Sequence, residues 1–386
     1  MSQTEKFLAF LDEIENFVDK VLIPAEEEVS ITEKIPDYII AHMRNIGMFG
    51  LSIPSEFGGL GLSISDETEV IFRLGRAAPA FYTYVGTNNG IGGHGIIAGG
   101  SDYQKKRYLP KMASGELIGS FALTEETAGS DASAIKTTAR KIKDGWVLNG
   151  KKRYITNSPV AGLFTVVARI EGTEGKNGIT TFLVDADNPG LYVSAETKKM
   201  GLQGSPIAEV TFTNCEISDD ALLGQEGYAL KTIIDILDQG RLQVAALSVG
   251  IANRLIEESV AYAAKRYQFG KPIADYQLIQ AMLADSYAKT YAATCMIRET
   301  AKAMDAQEHV TDKTSCCKLL ATEIVGQIAD SALQIHGGAG YLQGSVVERL
   351  YRDVRLLRIY EGTNQIQQLI IAKSLMRKFR NRRNKK

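Results

Sequence analysis

Cysteine and histidine are scarce in this chain of 386 residues, which contains four of each. No two cysteines form a CxxC pair, and the four histidines are widely separated: His42, His94, His309 and His336. Disulfide frameworks and structural metal sites need such residues at close, regular spacings. The sequence therefore predicts neither a metal site nor a fold that depends on disulfides.

An excess of charge of either sign is also missing. Lys and Arg number 44 against 45 Asp and Glu, for a net charge of -1. Nothing global therefore attracts nucleic acid or an anionic membrane surface. A basic run closes the sequence over residues 377–386, but a short terminal run of this kind is usually a solvated end. We expect no nucleic-acid partner.

No long apolar run follows the N-terminus, where Glu5 places an acidic residue early. Neither a signal peptide nor a membrane span fits this pattern, so we expect a cytoplasmic protein with no membrane partner. What the chain does have is 45% hydrophobic residues. Over this length they can bury a large core, and we expect the chain to divide into two or three subdomains.

The spacing of apolar residues changes twice along the chain. Up to residue 119 they recur at helical spacing, in blocks broken by prolines. Short β-branched runs separated by turn dipeptides follow, and Asp144-Gly145 between two such runs predicts a hairpin. From about residue 227 the helical period returns, with Pro272 restarting the chain after a long first helix and a final helix beginning just after Glu361.

This texture predicts an α+β fold that is mostly α. We assign residues 1–119 to an N-terminal helical domain and residues 120–225 to a middle antiparallel β domain. Residues 226–386 would form a C-terminal domain resembling a four-helix bundle.

Glu361 is the most informative single residue. It lies in the run Ile-Tyr-Glu-Gly-Thr-Asn-Gln-Ile-Gln of residues 359–367, at the point where a helix would start. Burial beside Ile359 and Tyr360 would raise its pKa toward neutrality, as a general base working near pH 7 requires. A carboxylate that simply favours the positive end of a helix dipole explains the same position equally well.

One motif is misleading. Residues 90–95 match GxGxxG, and residues 81–85 before them could form a strand. Only three residues separate the motif from Gly99-Gly100, which is too short for the helix that would hold a pyrophosphate. We interpret these glycines as sites of close helix packing.

Other segments suit a planar ligand that carries phosphate. Backbone amides beside Gly129 and the Ser130 hydroxyl could receive a phosphate, while Thr124 could donate to a ring heteroatom. Tyr154 stands two residues from Thr156 on one strand face. Residues 266–272 and 334–341 place donors next to glycines. Each segment alone is as typical of a turn, of strand packing or of a helix end.

Five such segments occur together in a fixed order. They are ALTEETAGSD (122–131), YITN (154–157), RYQFG (266–270), QIHGGAGY (334–341) and YEGTNQIQ (360–367). On these segments the chain resembles the acyl-CoA dehydrogenases over nearly its whole length, and that family has the same order of three domains. The resemblance implies FAD as cofactor and oxidation of an acyl-CoA thioester to the trans-2-enoyl-CoA.

By this resemblance Glu361 is the catalytic base that takes the α-proton while the flavin receives the β-hydrogen as hydride. In a minority of the family the base lies instead on the first helix of the bundle, just before the arginine that matches Arg241. Here that position is Gly240, which favours Glu361. Substrate contacts are implied for Ser130, Asp238, Arg241, Tyr360 and Gly362.

The resemblance also implies a set of FAD contacts. Thr124 and Thr156 would bond the flavin ring and Ser130 the pyrophosphate. Tyr154 departs from the tryptophan that most members have, which puts the flavin environment and the access of an acceptor or oxygen in doubt. The full implied set is Phe121, Ala122, Leu123, Thr124, Gly129, Ser130, Tyr154, Ile155, Thr156, Arg266, Gln268, Phe269, Tyr276, Gln277, Gln334, Ile335, His336, Gly337, Gly338, Thr363 and Gln365.

Residues 334–338 match a loop that grips FAD from a neighbouring subunit, which implies a homotetramer built as a dimer of dimers. The implied electron acceptor is an electron-transferring flavoprotein. The same site run as an enoyl-CoA reductase, or acting on a carrier-protein thioester, is an alternative. A flavin-dependent monooxygenase fits less well, because such relatives generally lose the base. Near the pocket floor, Tyr82, Tyr84, Asn88 and Asn89 would suit a short, branched, cyclic or aryl acyl chain.

Overall fold

The structure is a computed structural model that describes residues 3–383. Met1, Ser2 and the last three residues of the basic C-terminal run lie outside the described residues. Seven α-helices form the first part of the chain: α1 (Gln3–Phe17), α2 (Ile23–Thr32), α3 (Asp37–Asn45), α4 (Ile64–Leu74), α5 (Pro79–Thr87), α6 (His94–Gly99) and α7 (Asp102–Ala113).

Side-chain caps set the start of two of these helices. The Ser63 hydroxyl accepts a hydrogen bond from the Asp66 amide at the start of α4. Ser101 and Gln104 form a capping box at the start of α7. Each cap satisfies amide donors that the first turn of a helix leaves without a partner.

Eight strands form the middle sheet: β1 (Gly119–Ala122), β2 (Thr138–Ile142), β3 (Gly145–Thr156), β4 (Leu163–Ile170), β5 (Ile179–Asp185), β6 (Leu191–Val193), β7 (Ile207–Ser218) and β8 (Leu222–Leu223). Their order is β6-β7-β3-β2-β4-β5-β8, with β1 beside β4. The predicted hairpin is confirmed, since β2 and β3 pair antiparallel with Ile142 opposite Gly145, but its two turn residues are Lys143 and Asp144, one position earlier than the predicted Asp144-Gly145. Most pairings are antiparallel, but β4 pairs in parallel with both β1 and β2.

The second turn dipeptide of this region, Asn149-Gly150, makes no turn. It lies inside β3, where the register with β7 shifts between Leu148 and Gly150. From Leu148 to Gly150 β3 advances two residues while β7 advances three, from Phe212 to Cys215, so the extra residue of this β-bulge lies in β7, opposite Asn149.

The last part of the chain is helical: α8 (Ala229–Lys265), α9 (Gln277–Asp305), α10 (Thr311–His336), α11 (Val346–Leu357) and α12 (Asn364–Arg383). A two-stranded ribbon of β9 (Tyr267–Gln268) and β10 (Lys271–Pro272) separates α8 from α9. Six apolar residues are spaced to line one side of the first long helix: Ile233, Val244, Leu247, Ile251 and Leu255 are buried, as expected, whereas Leu237 is half-buried. None of the helices in residues 3–383 is both long and apolar enough to cross a membrane.

The predicted fold class is therefore confirmed, with helices before and after a sheet-containing middle part. The boundaries placed after residues 119 and 225 stay predictions. The interpretation of the glycine motif as close packing is confirmed as well. Residues 81–85 lie in α5 and form no strand, and a Cβ on Gly92 would lie 2.8 Å from the carbonyl oxygen of Thr87.

Candidate active site

Glu361 lies in the turn between α11 and α12, three residues before α12 begins. Glu361 and Gly362 both have positive φ, 55° and 83°. Two left-handed residues in succession make a tight turn, and they place the side chain of Glu361 away from the axis of α12. Glu361 therefore does not act as a helix-starting carboxylate.

The carboxylate of Glu361 is buried although the residue as a whole is half-buried. Its Oε2 atom has no hydrogen-bond partner among the described residues. Burial raises the pKa of Glu361 to about 7, while the positive charges of Arg241 and Lys318 act in the opposite direction. A buried carboxylate with a pKa near neutrality can both take and return a proton at physiological pH.

Gly240 of α8 faces this carboxylate. A Cβ atom on Gly240 would lie 2.9 Å from Oε2 of Glu361 and 3.2 Å from its Cδ. Both are shorter than ordinary van der Waals contacts, so the absent side chain at 240 is what leaves room for the carboxylate.

The side chain of Lys318 on α10 is hydrogen-bonded to the turn between α11 and α12. Its side chain is fully buried, and Nζ donates to the carbonyl oxygen of Gly362 at 3.0 Å and to Oδ1 of Asn364 at 2.8 Å. Gln367 adds bonds from its Nε2 to the carbonyl oxygens of Glu361 and Gly362, at 3.1 and 2.9 Å. Burial lowers the pKa of Lys318 to about 8, against the opposing charge of Glu361.

A second buried carboxylate, Glu67 of α4, lies near the first. Its two oxygens accept hydrogen bonds from Nε2 of Gln239 at 3.2 Å and from Nε2 of Gln243 at 3.0 Å. Burial raises the pKa of Glu67 to about 7. Sequence reasoning missed this residue, because an acidic side chain in the first turn of a helix is expected at the surface.

Tyr82 of α5 completes this group. Its hydroxyl is buried and finds no hydrogen-bond partner in the described part of the chain. Burial raises its pKa well above the usual value, and the charges of Glu67, Tyr360 and Glu361 add to that effect. Tyr82 therefore lies within electrostatic reach of both carboxylates.

The other three residues predicted for the pocket floor have structural contacts. Asn88 donates to the carbonyl oxygens of Phe49 and Met112, and Asn89 to that of Met48. The ring of Tyr84 packs edge-on against Phe49. Besides the Tyr82 hydroxyl, Oδ1 of Asn89 is buried without a hydrogen-bond partner among residues 3–383.

Asp238 and Arg241, predicted to touch substrate, form a buried ion pair at 2.7 Å. Asp238 also accepts from the hydroxyls of Thr311 and Thr314, at 2.5 and 3.3 Å. Its carboxylate is therefore engaged within the protein. Arg241 keeps a buried Nε that has no hydrogen-bond partner within residues 3–383.

The structure brings the first two predicted FAD segments side by side. The amide of Arg153 donates to the carbonyl oxygen of Thr124 at 2.8 Å, and the Ser120 hydroxyl donates to the carbonyl oxygen of Thr156 at 2.6 Å. Buried Lys152 bonds the carbonyl oxygen of Leu123 and the carboxylate of Glu125. Residues 121–131 therefore lie against residues 154–157.

The surface formed by these segments is open. A Cβ on Gly129 would meet no described atom within 4 Å. Ser130 is exposed, and the Tyr154 side chain is 61% exposed, with a positive φ of 57°. Thr124 and Thr156 are half-buried, while Phe121 and Ile155 are buried beneath them. An open backbone cradle next to hydroxyls and an uncovered aromatic ring fits a phosphate-bearing flavin.

The remaining FAD segments lie together elsewhere. The Tyr276 hydroxyl donates to the carbonyl oxygen of Gln268 at 2.8 Å, and the rings of Tyr262 and His336 stack at 4.2 Å. These contacts join the ends of α8 and α10. The side chain of Phe269 is 93% exposed. Arg266, Gln277, Gln334, Gly337 and Gly338 are exposed as well, and Ile335 is buried.

α8 keeps the two groups of predicted FAD residues apart. Gly240 and Arg266 are separated by roughly 40 Å along it, at 1.5 Å per residue. One chain therefore does not bring Arg266 or the 334–338 loop to its own Glu361. Thr363 and Gln365, just after Glu361, stay with the first group.

Three family models match successive parts of the chain. They are the acyl-CoA dehydrogenase N-terminal domain over residues 4–116, the middle domain over residues 120–215 and the C-terminal domain over residues 221–376. The chain belongs to the acyl-CoA dehydrogenase family. The resemblance drawn from the five sequence segments is thereby confirmed, and the protein is a flavoprotein oxidoreductase.

Individual acyl-CoA dehydrogenase relatives match this chain over nearly its whole length. It is 38% identical to a 3-(aryl)acrylate reductase of Clostridium sporogenes, over 94% of this chain and 96% of that protein. It is 35% identical to subunit CarC of the caffeyl-CoA reductase-Etf complex of Acetobacterium woodii, over 91% and 93%.

A solved acyl-CoA dehydrogenase from Bacillus anthracis, complexed with FAD, aligns with a TM-score of 0.92 and 33% identity. The alignment covers 98% of this chain and 68% of that chain. FAD is the cofactor of this family, in agreement with the open cradle at Gly129.

Proposed function

We propose that this protein removes two hydrogens across the α,β bond of an acyl-CoA thioester, giving the trans-2-enoyl-CoA. Glu361 takes the α-proton. The observation that carries this assignment is the buried Oε2 of Glu361, which lacks a hydrogen-bond partner within the described residues and belongs to a carboxyl with a pKa of about 7. Such a group is free to approach a substrate C–H and is ionised in a useful fraction at neutral pH.

When bound, FAD supplies the acceptor for the β-hydrogen as hydride and then passes its electrons to an electron-transferring flavoprotein. The chain's own residues bind and orient. We assign Thr124 and Thr156 to the flavin ring and Ser130 to the pyrophosphate. Tyr154 would shield the ring, and Thr363 and Gln365 would complete the near side of the site.

Arg266, Gln268, Phe269 and residues 334–338 would serve the cofactor of a neighbouring chain. Their separation of roughly 40 Å along α8 from Gly240 supports this, because an extended FAD does not span that distance. The large exposed side chain of Phe269 supports it too, since aromatic groups left uncovered in one chain are typical of interfaces. A homotetramer built as a dimer of dimers is the assembly we propose.

Arg241 and Asp238 would stand next to the CoA portion of the substrate. The unsatisfied Nε of Arg241 supports this for the arginine. Asp238 would act by orienting Arg241, because its oxygens already accept from Arg241, Thr311 and Thr314. Tyr360 and Gly362 would flank the thioester beside Glu361.

The reverse direction is a second candidate, in which the enzyme reduces an enoyl-CoA. Two relatives that match over more than nine-tenths of this chain carry the name reductase. A carboxyl with a pKa of about 7 can donate the α-proton in that direction as readily as it takes it in the other. The site itself is compatible with both.

Replacing Glu361 with glutamine tests the proposal. Glu361→Gln keeps the shape and removes the base, so flavin bleaching by acyl-CoAs should slow by about 100-fold or more. FAD content should stay at the wild-type level. Glu174→Gln, the same change at an exposed position, is the matched control and should react normally.

Near wild-type bleaching by Glu361→Gln would sink the base assignment. Anaerobic titration with enoyl-CoAs and reduced enzyme, run beside the oxidation, then measures which direction is faster.

A further inference from the structure

Three glycines each leave room for a polar side-chain tip, and one of them faces Glu361 itself. A Cβ atom on Gly86 would collide with the phenol end of Tyr82 and would lie 3.0 Å from the phenol oxygen. A Cβ on Gly90 would lie 2.7 Å from Oε1 of Gln243, and one on Gly240 would lie 2.9 Å from Oε2 of Glu361. At Gly86 of α5, at Gly90 in the segment between α5 and α6 and at Gly240 of α8, polar groups therefore occupy places where aliphatic side chains would otherwise pack.

Two of the buried polar atoms beyond Glu361 are unsatisfied. The Tyr82 hydroxyl and Oε1 of Gln239 have no hydrogen-bond partner within residues 3–383. Tyr82 is 5% exposed and Gln239 is 2% exposed. A buried polar atom without a partner is rare in folded proteins because it forfeits its bonds to water.

Glu67 determines which end of Gln239 is unsatisfied. The carboxylate accepts from Nε2 of Gln239, so the amide nitrogen is turned toward Glu67 and the carbonyl oxygen is turned away from it. Gln243 is held by the same carboxylate from the next turn of α8. Glu67 touches no unsatisfied atom itself and acts as a positioning residue for the two glutamines.

We infer that Tyr82 and Gln239 form a hydrogen-bonding subsite for a hydroxyl group carried by the acyl chain. A hydroxyl can donate to Oε1 of Gln239 and accept from the Tyr82 hydroxyl, which satisfies both atoms. A methyl or an unsubstituted ring can satisfy neither. This inference rests on the proposed function and names the substrate class of that same site.

The same groups select against other acyl ends. A terminal carboxylate would approach the acidic Glu67 and could accept from Tyr82 only, so it would leave Gln239 unsatisfied and meet repulsion. A plain alkyl end leaves both buried atoms without partners. Sites built to hydrogen-bond a substrate hydroxyl reject the analogue that lacks it for this reason.

The test compares thioesters that differ by one hydroxyl. FAD-loaded wild-type enzyme is titrated with 3-(4-hydroxyphenyl)propionyl-CoA against 3-phenylpropionyl-CoA, and with ω-hydroxyacyl-CoAs against acyl-CoAs of four to eight carbons. In at least one pair the hydroxylated member should bind with a Kd lower by roughly tenfold or more. The difference should appear in Kd and KM and leave kcat little changed, because neither Tyr82 nor Gln239 transfers the proton or the hydride.

Tyr82→Phe should bring the ratio of the two Kd values within a pair toward one. Its unfolding temperature should not fall, because the change removes only an unsatisfied hydroxyl. Glu67→Gln should weaken it by releasing the orientation of Gln239. Glu69→Gln is the matched control on α4, where Glu69 instead pairs with Arg73 and Arg298 at the surface. It should keep the full wild-type preference.

Equal Kd values within every pair, with the unsubstituted thioesters still bleaching the flavin, would overturn this inference and leave the proposed function standing. Full discrimination in Tyr82→Phe would overturn it as well. If no thioester, saturated or unsaturated, alters the flavin spectrum, the proposed function fails first and takes the subsite with it.

Discussion

At the scale of single residues, Gly240 and Glu361 share one space from opposite sides. The carboxylate lies where a side chain at 240 would begin, at 2.9 Å from the position of a Cβ. The lack of a side chain at Gly240 is thus a condition for the placement of this carboxylate. A carboxylate at 240 and one at 361 exclude each other on steric grounds in this chain.

Gly240→Ala should push Glu361 out of position while favouring α8 itself, since alanine is the better helix former by about 1 kcal/mol. We expect kcat to fall by about tenfold or more, with an unfolding temperature close to that of the wild type. Gly99→Ala, where a Cβ would meet only Gly224 at 3.8 Å, is the control. Unchanged kcat in Gly240→Ala would mean that the carboxylate adjusts without cost.

At the scale of elements, the turn between α11 and α12 depends on α10. Lys318 spans from α10 to the Gly362 carbonyl and to Asn364, the first residue of α12. Lys318 is therefore a fully buried charge that α10 contributes to this turn, beside Glu323, which accepts from Nδ2 of Asn364 at 2.7 Å. Removal of Lys318 takes a charged donor from both acceptors, although Gln367 still donates to the Gly362 carbonyl, and a hydrogen bond to a charged group is typically worth about 1.5–3 kcal/mol.

Lys318→Met should lower the unfolding temperature and raise the pKa of Glu361, because Lys318 is one of two positive charges that lower it. The rising limb of the kcat profile for acyl-CoA oxidation should then move to higher pH. Lys313→Met changes an exposed lysine on the same helix and should move neither. A Lys318→Met profile that superposes on the wild type would separate this lysine from the function of Glu361.

Local signals predicted the elements well and their partners less well. Asp144-Gly145 predicted the β2–β3 hairpin because a two-residue turn fixes its own strands. Asn149-Gly150 carries the same turn chemistry, yet pairing with β7 keeps it inside β3, opposite a bulge in β7. The ribbon of β9 and β10 escaped notice, since two-residue strands leave no periodic pattern.

The site shows the same limit. Glu361 could be found because its segment is distinctive, whereas Glu67 has the sequence context of a surface carboxylate at a helix start. Its burial follows from the packing of α4 against α8. That packing depends on residues more than 170 positions away in the sequence, such as Gln239, which comes 172 residues after Glu67. The predicted roles of individual FAD residues stay predictions.

At the scale of the whole molecule, several buried carboxyls make folding depend on pH in one direction. Burial raises the pKa values of Glu67 and Glu361 to about 7 and that of Asp353 to about 6. In this range the folded chain holds protons that the unfolded chain releases. Stability is therefore greatest near the acid end and is lost as the pH rises through 6 and 7.

We expect the unfolding temperature of FAD-loaded protein to fall between pH 5 and pH 8. His94, whose pKa burial lowers, opposes the trend but is a single group. Glu361→Gln and Glu67→Gln should each flatten the curve, with a gain at pH 8 on the order of 1–3 kcal/mol that shrinks toward pH 5. An unfolding temperature that rises steadily over this interval in the wild type would contradict the assignment.

Because α8 is long, each chain would contribute residues to two separate active sites in the proposed assembly. Gly240, in the first third of α8, lies against the chain's own Glu361. Arg266, just after the last residue of α8, would contact the cofactor of the neighbouring chain in the proposed assembly. Loss of either contribution then disables a different site. A chain with Glu361→Gln and a chain with Arg266→Ala, both inactive alone, would complement each other when mixed, because one site of the pair would inherit an intact base and an intact arginine.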